Sequence, residues 1–267
     1  MHAVVGDVTD AYVALVDAAV PDRIEGLYVV GSVALDDFVP DQSDIDFIAV
    51  TADRLDEGTL DSLAKVHQEL GDRFPRPWFS GVYVTWADLA ADPRGLDAVP
   101  VHHEGRFSPA GGFEANPVQW LTLRTHPVAI RGDEAPDVWT DPDGVREWVL
   151  GNVNTYWRAW IARQRTLVGR GTMLLPEWAI GWGVLGISRM HYTLTTGEVT
   201  SKTGAGEHAL ATFDDRWAPI VSEALRLRRG EGSQPEAYRR RPLVRRRDAL
   251  DFMAHVVDEA AALAGTA

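Results

Sequence analysis

Apolar and polar positions along the first half of the chain predict alternating helices and strands. Apolar residues at helical spacing predict helices over 8–20 and 55–70. A run of β-branched and aromatic residues over 27–30 predicts a buried strand, and further strands are predicted over 43–50 and 78–86. The first half is therefore expected to be a mixed α/β unit.

The segment 93–112 is rich in glycine and proline, and we expect it to be a loop-rich crossing. From residue 142 onward the pattern changes to helical periodicity alone. Helices are predicted in four segments: 145–168, 176–195, 214–229 and 243–263. Gly169, Gly197 and Gly230 are expected to end the first three. The fold class is therefore α+β, a mixed-sheet domain over 1–140 followed by an all-α helical bundle over 141–267.

Two carboxylates on the second predicted strand point in one direction. Side chains two apart on a strand share a face, so Asp44 and Asp46 are expected together, with Ile45 and Phe47 opposite in the core. Carboxylates this close repel each other and require a compensating charge. A hard divalent cation with oxygen ligands supplies it, and Mg²⁺ is the first candidate.

Gly31-Ser32 directly follows the first predicted strand. Glycine permits close approach of the backbone to a ligand, and N–H groups at a helix start, with the Ser32 hydroxyl, suit phosphate oxygens. A phosphate site and a metal site are therefore expected on adjacent strands. This combination predicts a site for a metal-bound nucleotide.

These two runs resemble the signature of the polymerase-β-type nucleotidyltransferase superfamily: Gly31-Ser32, a ten-residue gap, then Ser43-Asp44-Ile45-Asp46. In that family the Gly-Ser pair binds the triphosphate and the two aspartates hold the activating metals. The resemblance implies that 1–140 is a nucleotidyltransferase domain. It also implies ATP as substrate, Mg²⁺ on Asp44 and Asp46, and nucleotide contacts from Gly31, Ser32 and Ser43.

A second run resembles the C-terminal half of the streptomycin/spectinomycin adenylyltransferases. It consists of Ile187-Ser188-Arg189-Met190-His191-Tyr192, Thr196-Gly197-Glu198 and Lys202. The resemblance implies transfer of AMP from ATP to a hydroxyl of an aminoglycoside, and hence antibiotic resistance. Lys202 stands where that family has a lysine near the nucleotide phosphates.

The same resemblance implies that the helical domain binds the acceptor. Related enzymes carry a Pro-acidic-Trp run like the one that contains Glu177 and Trp178. Trp182 lies one turn further along the same predicted helix face. A flat indole ring can cover a sugar face or meet an ammonium group. Glu177, Trp178 and Trp182 are therefore the expected substrate-binding residues, with the active site expected in the cleft between the domains.

One family feature is absent from the sequence. The related enzymes place a glutamate at the start of the third strand, as the base that deprotonates the acceptor hydroxyl, and by register this position is Gly81. A residue of a later segment can replace that base, with Glu104, His103 and Asp88 available. Alternatively the acceptor needs no base, or the chain is a silent relative that binds nucleotide or drug without transfer.

The composition of the chain limits the classes of molecule that it is expected to bind. A formal net charge of −13 argues against nucleic acid and is compatible with a small cationic acceptor. Nine arginines between 226 and 247 are expected to be mostly solvated at helix ends. The chain has no cysteine, no apolar run long enough for a membrane and no secretory signal, so a cytoplasmic protein is expected. Two other functions stay open, a non-enzymatic binding protein and an enzyme that modifies a protein hydroxyl.

Overall fold

A mixed sheet forms the first part of the fold, and helices alone form the second. The computed structural model of the protein describes residues 2–112, 114–166, 174–230 and 232–264. They divide into two compact units, Met1–Asp141 and Pro142–Ala267. The α+β fold class is confirmed. None of the described helices is both long and apolar enough to cross a membrane.

Six strands make the sheet of the first unit, in the order β5-β4-β3-β2-β1-β6. Their bounds are β1 (Gly26–Val30), β2 (Ile45–Thr51), β3 (Phe79–Thr85), β4 (Val99–His103), β5 (Arg106–Gly111) and β6 (Val128–Arg131). β2 and β3 run parallel, and the other neighbouring pairs are antiparallel. The helices of this unit are α1 (Ala3–Ala19), α2 (Gly31–Ala34), α3 (Glu57–Arg73), α4 (Trp86–Leu89) and α5 (Pro117–Thr125).

Apolar side chains cover both faces of the sheet. On one face, α1 and α3 pack through residues such as Tyr12 and Leu63 against Phe47 of the sheet. On the other face, Trp120 and Leu123 of α5 pack against residues such as Val30, Ile48 and Val82. Strands β1, β2 and β3 are therefore almost entirely buried, and polar side chains on them stand out.

The prediction of a loop crossing over 93–112 is wrong, because β4 and β5 form a hairpin there. Its two-residue turn consists of Glu104 and Gly105, whose φ angles are +47° and +77°. Two positive φ angles in succession are typical of the tight turns that join antiparallel strands. Pro109 lies within β5 at the sheet edge, where a missing N–H does not interrupt the ladder. Glycine and proline therefore gave a misleading loop signal.

The second unit consists of helices α6 (Pro142–Asn152), α7 (Arg158–Thr166), α8 (Glu177–Thr196), α9 (Lys202–Thr212), α10 (Ala218–Arg229) and α11 (Pro242–Ala264). A π-helical turn over Val153–Trp157 joins α6 to α7. Gly197 and Gly230 end α8 and α10 in the left-handed conformation, as predicted. The end of the helix predicted over 145–168 and its stop Gly169 lie outside the described residues.

Helix α9 has no counterpart among the predicted helices. Gly204 and Gly206 suppress its helical pattern in the sequence. A Cβ at Gly206 would lie 2.5 Å from Leu225 of α10 and 2.9 Å from Leu185 of α8. Glycine is needed at this position because three helices meet there.

Candidate active site

Gly31 and Asp46 meet where β1 ends. The antiparallel register places Val30 opposite Asp46, and Gly31 follows with a φ of +62°. A Cβ at Gly31 would lie 2.1 Å from the Oδ2 atom of Asp46. Both the backbone conformation and the space therefore require glycine, and the Gly31 backbone lies directly against the carboxylate.

Burial alternates through the aspartate motif as the sequence predicted. Ile45 and Phe47 are buried in the core beneath α1 and α3, whereas Asp44 and Asp46 are half-buried. Asp44 immediately precedes β2 and does not belong to the strand. The two carboxylates thus point away from the apolar core, at the end of the sheet where β1 ends and β2 begins.

Arg76 is a site residue that the sequence reasoning missed. Its Nη1 atom lies 3.7 Å from the Oδ1 atom of Asp44, and its guanidinium stacks on the Trp78 ring at 3.2 Å from the centroid. A cation held in this way offsets part of the repulsion between the two carboxylates. The signal in the sequence was an arginine and a tryptophan immediately before the third strand.

The two serines of the motif have different surroundings. The Ser32 hydroxyl oxygen is buried and has no hydrogen-bond partner in the described part of the chain. Such an atom is costly to bury and calls for an explanation. The Ser43 hydroxyl accepts from the Val39 N–H at 3.1 Å, and the Ser43 N–H donates to the Val39 carbonyl at 2.8 Å. Ser43 therefore closes the loop that leads into Asp44.

The register of β3 corrects the position assigned to the missing base. Gly81 pairs with Phe47, so its side-chain direction is toward the core, and a Cβ there would lie 2.0 Å from the Phe47 carbonyl oxygen. Ser80 pairs with Asp46 and shares its face. The β3 position nearest to Asp46 is thus Ser80, and it carries no carboxylate.

We expect Gly81→Ala to destabilise the protein by about 3 kcal/mol, because backbone atoms must move to admit the methyl group. Gly71→Ala in α3 is the matched control, since a Cβ at Gly71 meets nothing within 4 Å. That control should keep or raise the stability. Urea unfolding followed by circular dichroism measures both. An unchanged unfolding midpoint for Gly81→Ala would refute the close approach of β2 and β3 at this position.

His103 continues the row of polar residues from β3 onto β4. Gly81 pairs with His102, which brings the next residue of β4, His103, beside Ser80. The Ser80 hydroxyl accepts from the Glu104 N–H at 3.3 Å. Asp46, Ser80 and His103 therefore follow one another across three strands on the same face.

A carboxylate holds the His103 ring. The Nδ1 atom of His103 lies 3.0 Å from the Oε1 atom of Glu114, whose side chain is mostly buried. A histidine oriented by a carboxylate is a common arrangement for a group that accepts and returns protons. Sequence reasoning selected His103 and missed Glu114, which lies eleven residues further along, beyond the β4–β5 hairpin.

The other two candidate bases occupy less suitable positions. Asp88 accepts from the Thr85 N–H at 2.8 Å and pairs with Arg54 at 2.8 Å, so it caps α4 at the far end of β3. Thr85 lies five residues after Ser80 along the strand, a distance of about 16 Å. Glu104 is exposed in the hairpin turn, next to His103.

The oxygen atoms of Asp44 and Asp46 are suitable ligands for Mg²⁺. Within residues 2–112, 114–166, 174–230 and 232–264, no group of three or more His, Asp or Glu side chains could hold a metal ion by itself. Magnesium in nucleotide sites is commonly bound by one or two carboxylates together with substrate phosphates. Asp44 and Asp46 are the two carboxylates at this end of β2 that could supply the protein share of such a set.

In the helical unit, the second sequence motif ties α8 to the start of α9. The Arg189 Nε atom donates to the Thr200 carbonyl at 3.1 Å, and the Tyr192 hydroxyl donates to Glu198 at 3.1 Å. Lys202 is the first residue of α9. The motif residues therefore determine where the lysine stands.

Comparison with known proteins gives a family match for the second motif and a fold match for the chain. Residues 177–252 match the family model of the aminoglycoside adenylyltransferase C-terminal domain. The chain is similar to the aminoglycoside adenylyltransferases. A solved structure with the same fold is the spectinomycin adenyltransferase AAD(9) from Enterococcus faecialis, with ATP and spectinomycin. The match has a TM-score of 0.67 at 13% identity and covers 95% of this chain and 99% of that chain. No curated protein matches the chain.

An exposed tryptophan is the second residue of the segment that matches the adenylyltransferase domain. Trp178 is 69% exposed and lies 6.5 Å from Trp182 between ring centroids. Trp182 in turn stacks on Trp157 at 4.7 Å. Glu177 forms an ion pair with Arg245 at 3.0 Å. An aromatic surface beside a carboxylate is therefore present at the start of α8.

Three of the nine arginines predicted to be mostly solvated are largely removed from solvent: Arg228 is buried, and Arg226 and Arg245 belong to a buried ion-pair network in the same segment. Glu223 is fully buried and accepts from Arg226 at 2.7 Å and Arg245 at 2.8 Å. Burial raises the pKa of Glu223, but the hydrogen bonds from the two arginines outweigh it, so its pKa is lowered overall. Arg245 joins this network to Glu177 and holds that carboxylate at the helix start.

Proposed function

We propose that the protein is a nucleotidyltransferase that transfers AMP from ATP to a hydroxyl of a small cationic acceptor of the aminoglycoside class. The observation that carries the proposal is the contact between the Gly31 backbone and the Asp46 carboxylate, beside Asp44. A left-handed glycine against an acidic strand end is the arrangement expected where a triphosphate and its metal bind together. The match of 177–252 to an adenylyltransferase domain supports the choice of AMP.

In this proposal the nucleotide phosphates bind at Gly31, Ser32 and Ser43, and a phosphate contact from Lys202 stays a prediction of the sequence. The buried Ser32 hydroxyl gains its hydrogen-bond partner when a phosphate oxygen arrives. Asp44 and Asp46 hold Mg²⁺. A bound Mg²⁺ would supply charge stabilisation at the phosphate oxygens.

His103 is the proposed base. Its Nδ1–H donates to Glu114, which leaves the Nε2 lone pair to accept a proton. The acceptor hydroxyl loses its proton to this Nε2 atom, a bond forms from the acceptor oxygen to the α-phosphorus, and the bond to the β-phosphate oxygen breaks. Pyrophosphate leaves with the electron pair of that bond. Glu104 is the alternative base, from the adjacent turn position.

The acceptor binds at Glu177, Trp178 and Trp182 in this proposal. A cation gains from the indole face of the exposed Trp178 and from nearby carboxylate charge. The formal net charge of −13 attracts a polycationic molecule over longer distances. AAD(9) was solved with ATP and spectinomycin, which supports a nucleotide and an antibiotic as the two ligands. Resistance to such an antibiotic would be the biological result.

A second candidate function is binding of nucleotide or drug without transfer. Ser80 favours it, because the β3 position that faces Asp46 carries no carboxylate. An enzyme that adds AMP to a protein hydroxyl is the remaining alternative.

The decisive experiment is a panel of aminoglycosides incubated with Mg-ATP and scored for pyrophosphate release. Acceptor-dependent release with at least one compound is expected, and mass spectrometry should show one added AMP on it. Calorimetry on the same panel identifies binders. Tight binding without release would support the sequestering function, whereas neither binding nor release across the panel would refute this acceptor class.

A further inference from the structure

Arg76 lies in the short segment between α3 and β3, beside the candidate metal ligand Asp44. The Nη1 atom of Arg76 is 3.7 Å from the Oδ1 atom of Asp44, which allows electrostatic attraction but is too long for a hydrogen bond. The arginine side chain is 61% exposed. The pair is therefore weak, and transfer of Arg76 from Asp44 to a stronger acceptor costs little.

The indole ring of Trp78 holds the guanidinium in place. The Arg76 Cζ atom stands 3.2 Å from the centroid of that ring. The Trp78 carbonyl accepts from the Ile45 N–H at 2.8 Å, so the backbone of Trp78 is fixed beside the residue that separates the two aspartates. The indole nitrogen lies close to the hairpin turn, since a Cβ placed at Gly105 would be 3.7 Å from it. The cation on this ring therefore stays next to the aspartate motif.

The N–H donors of Arg76 are not used within the part of the chain that the structure describes. Arg76 contacts Asp44 and Trp78 there through charge and ring stacking, and it donates no hydrogen bond. A guanidinium presents its donors in a planar fork that matches two oxygens of a phosphate group. Stacking covers a face of this plane and leaves the donors at its edge accessible. Arg76 can therefore receive an oxyanion without breaking any hydrogen bond.

The proposed nucleotide site requires positive charge beyond that of Mg²⁺. Asp44 and Asp46 are acidic, and a triphosphate carries more negative charge than one Mg²⁺ neutralises. Like charges at such short range repel each other unless a cation compensates them. Arg76 is a cation that already stands beside Asp44.

We propose that Arg76 binds a phosphate oxygen of the Mg²⁺-bound nucleotide, with Trp78 as the platform that positions it. This inference rests on the proposed function, because it requires the nucleotide to bind at Gly31, Ser32 and the two aspartates. When the phosphate arrives, Arg76 exchanges its weak pair with Asp44 for a charge-assisted hydrogen bond. That exchange leaves the carboxylate available to the metal ion.

Calorimetry of Mg-ATP binding in the absence of any acceptor measures the contribution of Arg76 separately from transfer. Arg76→Gln should bind Mg-ATP on the order of tenfold to 100-fold more weakly than the parent, the loss expected for one hydrogen bond to a charged group. Arg76→Lys should recover part of the affinity, because an ammonium keeps the charge but lacks the planar fork.

Arg23→Gln is the matched control. Arg23 forms a surface pair with Asp56 at 3.4 Å and precedes β1, at the opposite end of that strand from Gly31. This variant removes the same charge away from the candidate site. It should bind Mg-ATP like the parent.

The same measurements separate this inference from the proposed function. If the parent binds Mg-ATP and Arg76→Gln binds it equally well, the phosphate contact is overturned and the nucleotide site stands. Tighter binding by Arg76→Gln would also overturn the contact, because the arginine would then only compete with Mg²⁺ for Asp44. No binding of Mg-ATP by the parent would overturn both the inference and the proposed function.

Variants of Trp78 test the platform. Trp78→Leu should weaken Mg-ATP binding, whereas Trp78→Phe should retain most of the affinity, since a phenyl face still holds the guanidinium. Circular dichroism checks that both variants fold. Equal affinities of the two folded variants would overturn the role of the ring.

Nitrogen NMR spectra of the arginine side chains test the contact directly. The Nε–H signal of Arg76, identified by its loss in Arg76→Gln, should shift on addition of Mg-ATP. The Arg23 signal should stay in place. An Arg76 signal that does not move at saturating Mg-ATP would overturn the contact.

Discussion

Replacing Asp46 by asparagine is expected to abolish Mg²⁺-dependent ATP binding while the fold remains intact. The carboxylate lies against the Gly31 backbone and pairs in register with Ser80, at the centre of the candidate site. Loss of one of two metal ligands should weaken Mg-ATP binding by at least about 100-fold and bring AMP transfer below detection. Stability should not fall, because removal of one carboxylate relieves repulsion with Asp44.

Calorimetry with Mg-ATP measures the loss of nucleotide affinity, and thermal unfolding measures the stability. Asp44→Asn should behave alike, since its ion pair with the exposed Arg76 is a surface pair that contributes little to stability. Asp41→Asn is the matched control, because this exposed aspartate makes the same charge change outside the site. If Asp46→Asn bound Mg-ATP as tightly as the parent, the metal assignment would be wrong.

His103→Gln is expected to lower kcat for AMP transfer by about 10²–10⁴-fold, the usual contribution of a general base. The glutamine amide can still donate to Glu114, so the hairpin should keep its position while the proton acceptor is lost. The KM for ATP should stay unchanged, because His103 is not among the proposed nucleotide contacts. Steady-state kinetics with saturating acceptor give both values.

Two matched variants assign the base. Glu114→Gln should cause a smaller loss than His103→Gln, since it removes the group that orients the ring and keeps the ring itself. Glu104→Gln should leave the rate nearly unchanged. A large rate loss in Glu104→Gln together with a normal rate in His103→Gln would transfer the role of base to Glu104.

The Gly-Ser and aspartate motifs were predictable because their geometry is local. Side chains alternate between the two faces of a strand, so Asp46 points away from the core while Ile45 and Phe47 point into it. A glycine directly after a buried strand indicates an unusual backbone conformation. The structure adds the contact between Gly31 and Asp46, which depends on strand pairing. Residue identity and short-range periodicity were sufficient to predict the other features of the two motifs.

The base position was not predictable in the same way. Whether Ser80 or Gly81 faces Asp46 depends on the register between β2 and β3, and a shift of one residue reverses the face. His103 and Glu114 meet only because β4 and β5 fold back through a turn at Glu104 and Gly105. Their glycine- and proline-rich surroundings suggested a loop, so no local pattern connected the two side chains.

Helix α9 and Arg245 show a further limit of sequence patterns. The glycines of α9 reduce helix propensity, but packing against Leu225 and Leu185 requires Gly206. Arginines in a cluster are usually solvated, yet Arg245 of α11 reaches the buried Glu223 of α10 because the two helices pack against each other. In both cases tertiary contacts outweigh the local preference.

The antiparallel ladder between β1 and β2 has a consequence for recognising related sites in other chains. Five residue pairs, from Gly26 with Val50 to Val30 with Asp46, determine how the glycine meets the carboxylate. The ten residues between Ser32 and Ser43 contribute no pairs to that ladder. Insertions at the exposed residue Asp36 of this segment should be tolerated best, because doubling the length of a flexible loop costs only about 0.6 kcal/mol, whereas Val33 and Phe38 pack against the core. A search for such sites should therefore leave the gap length open and instead require an apolar strand that ends in Gly-Ser, followed by a strand that begins with alternating aspartates.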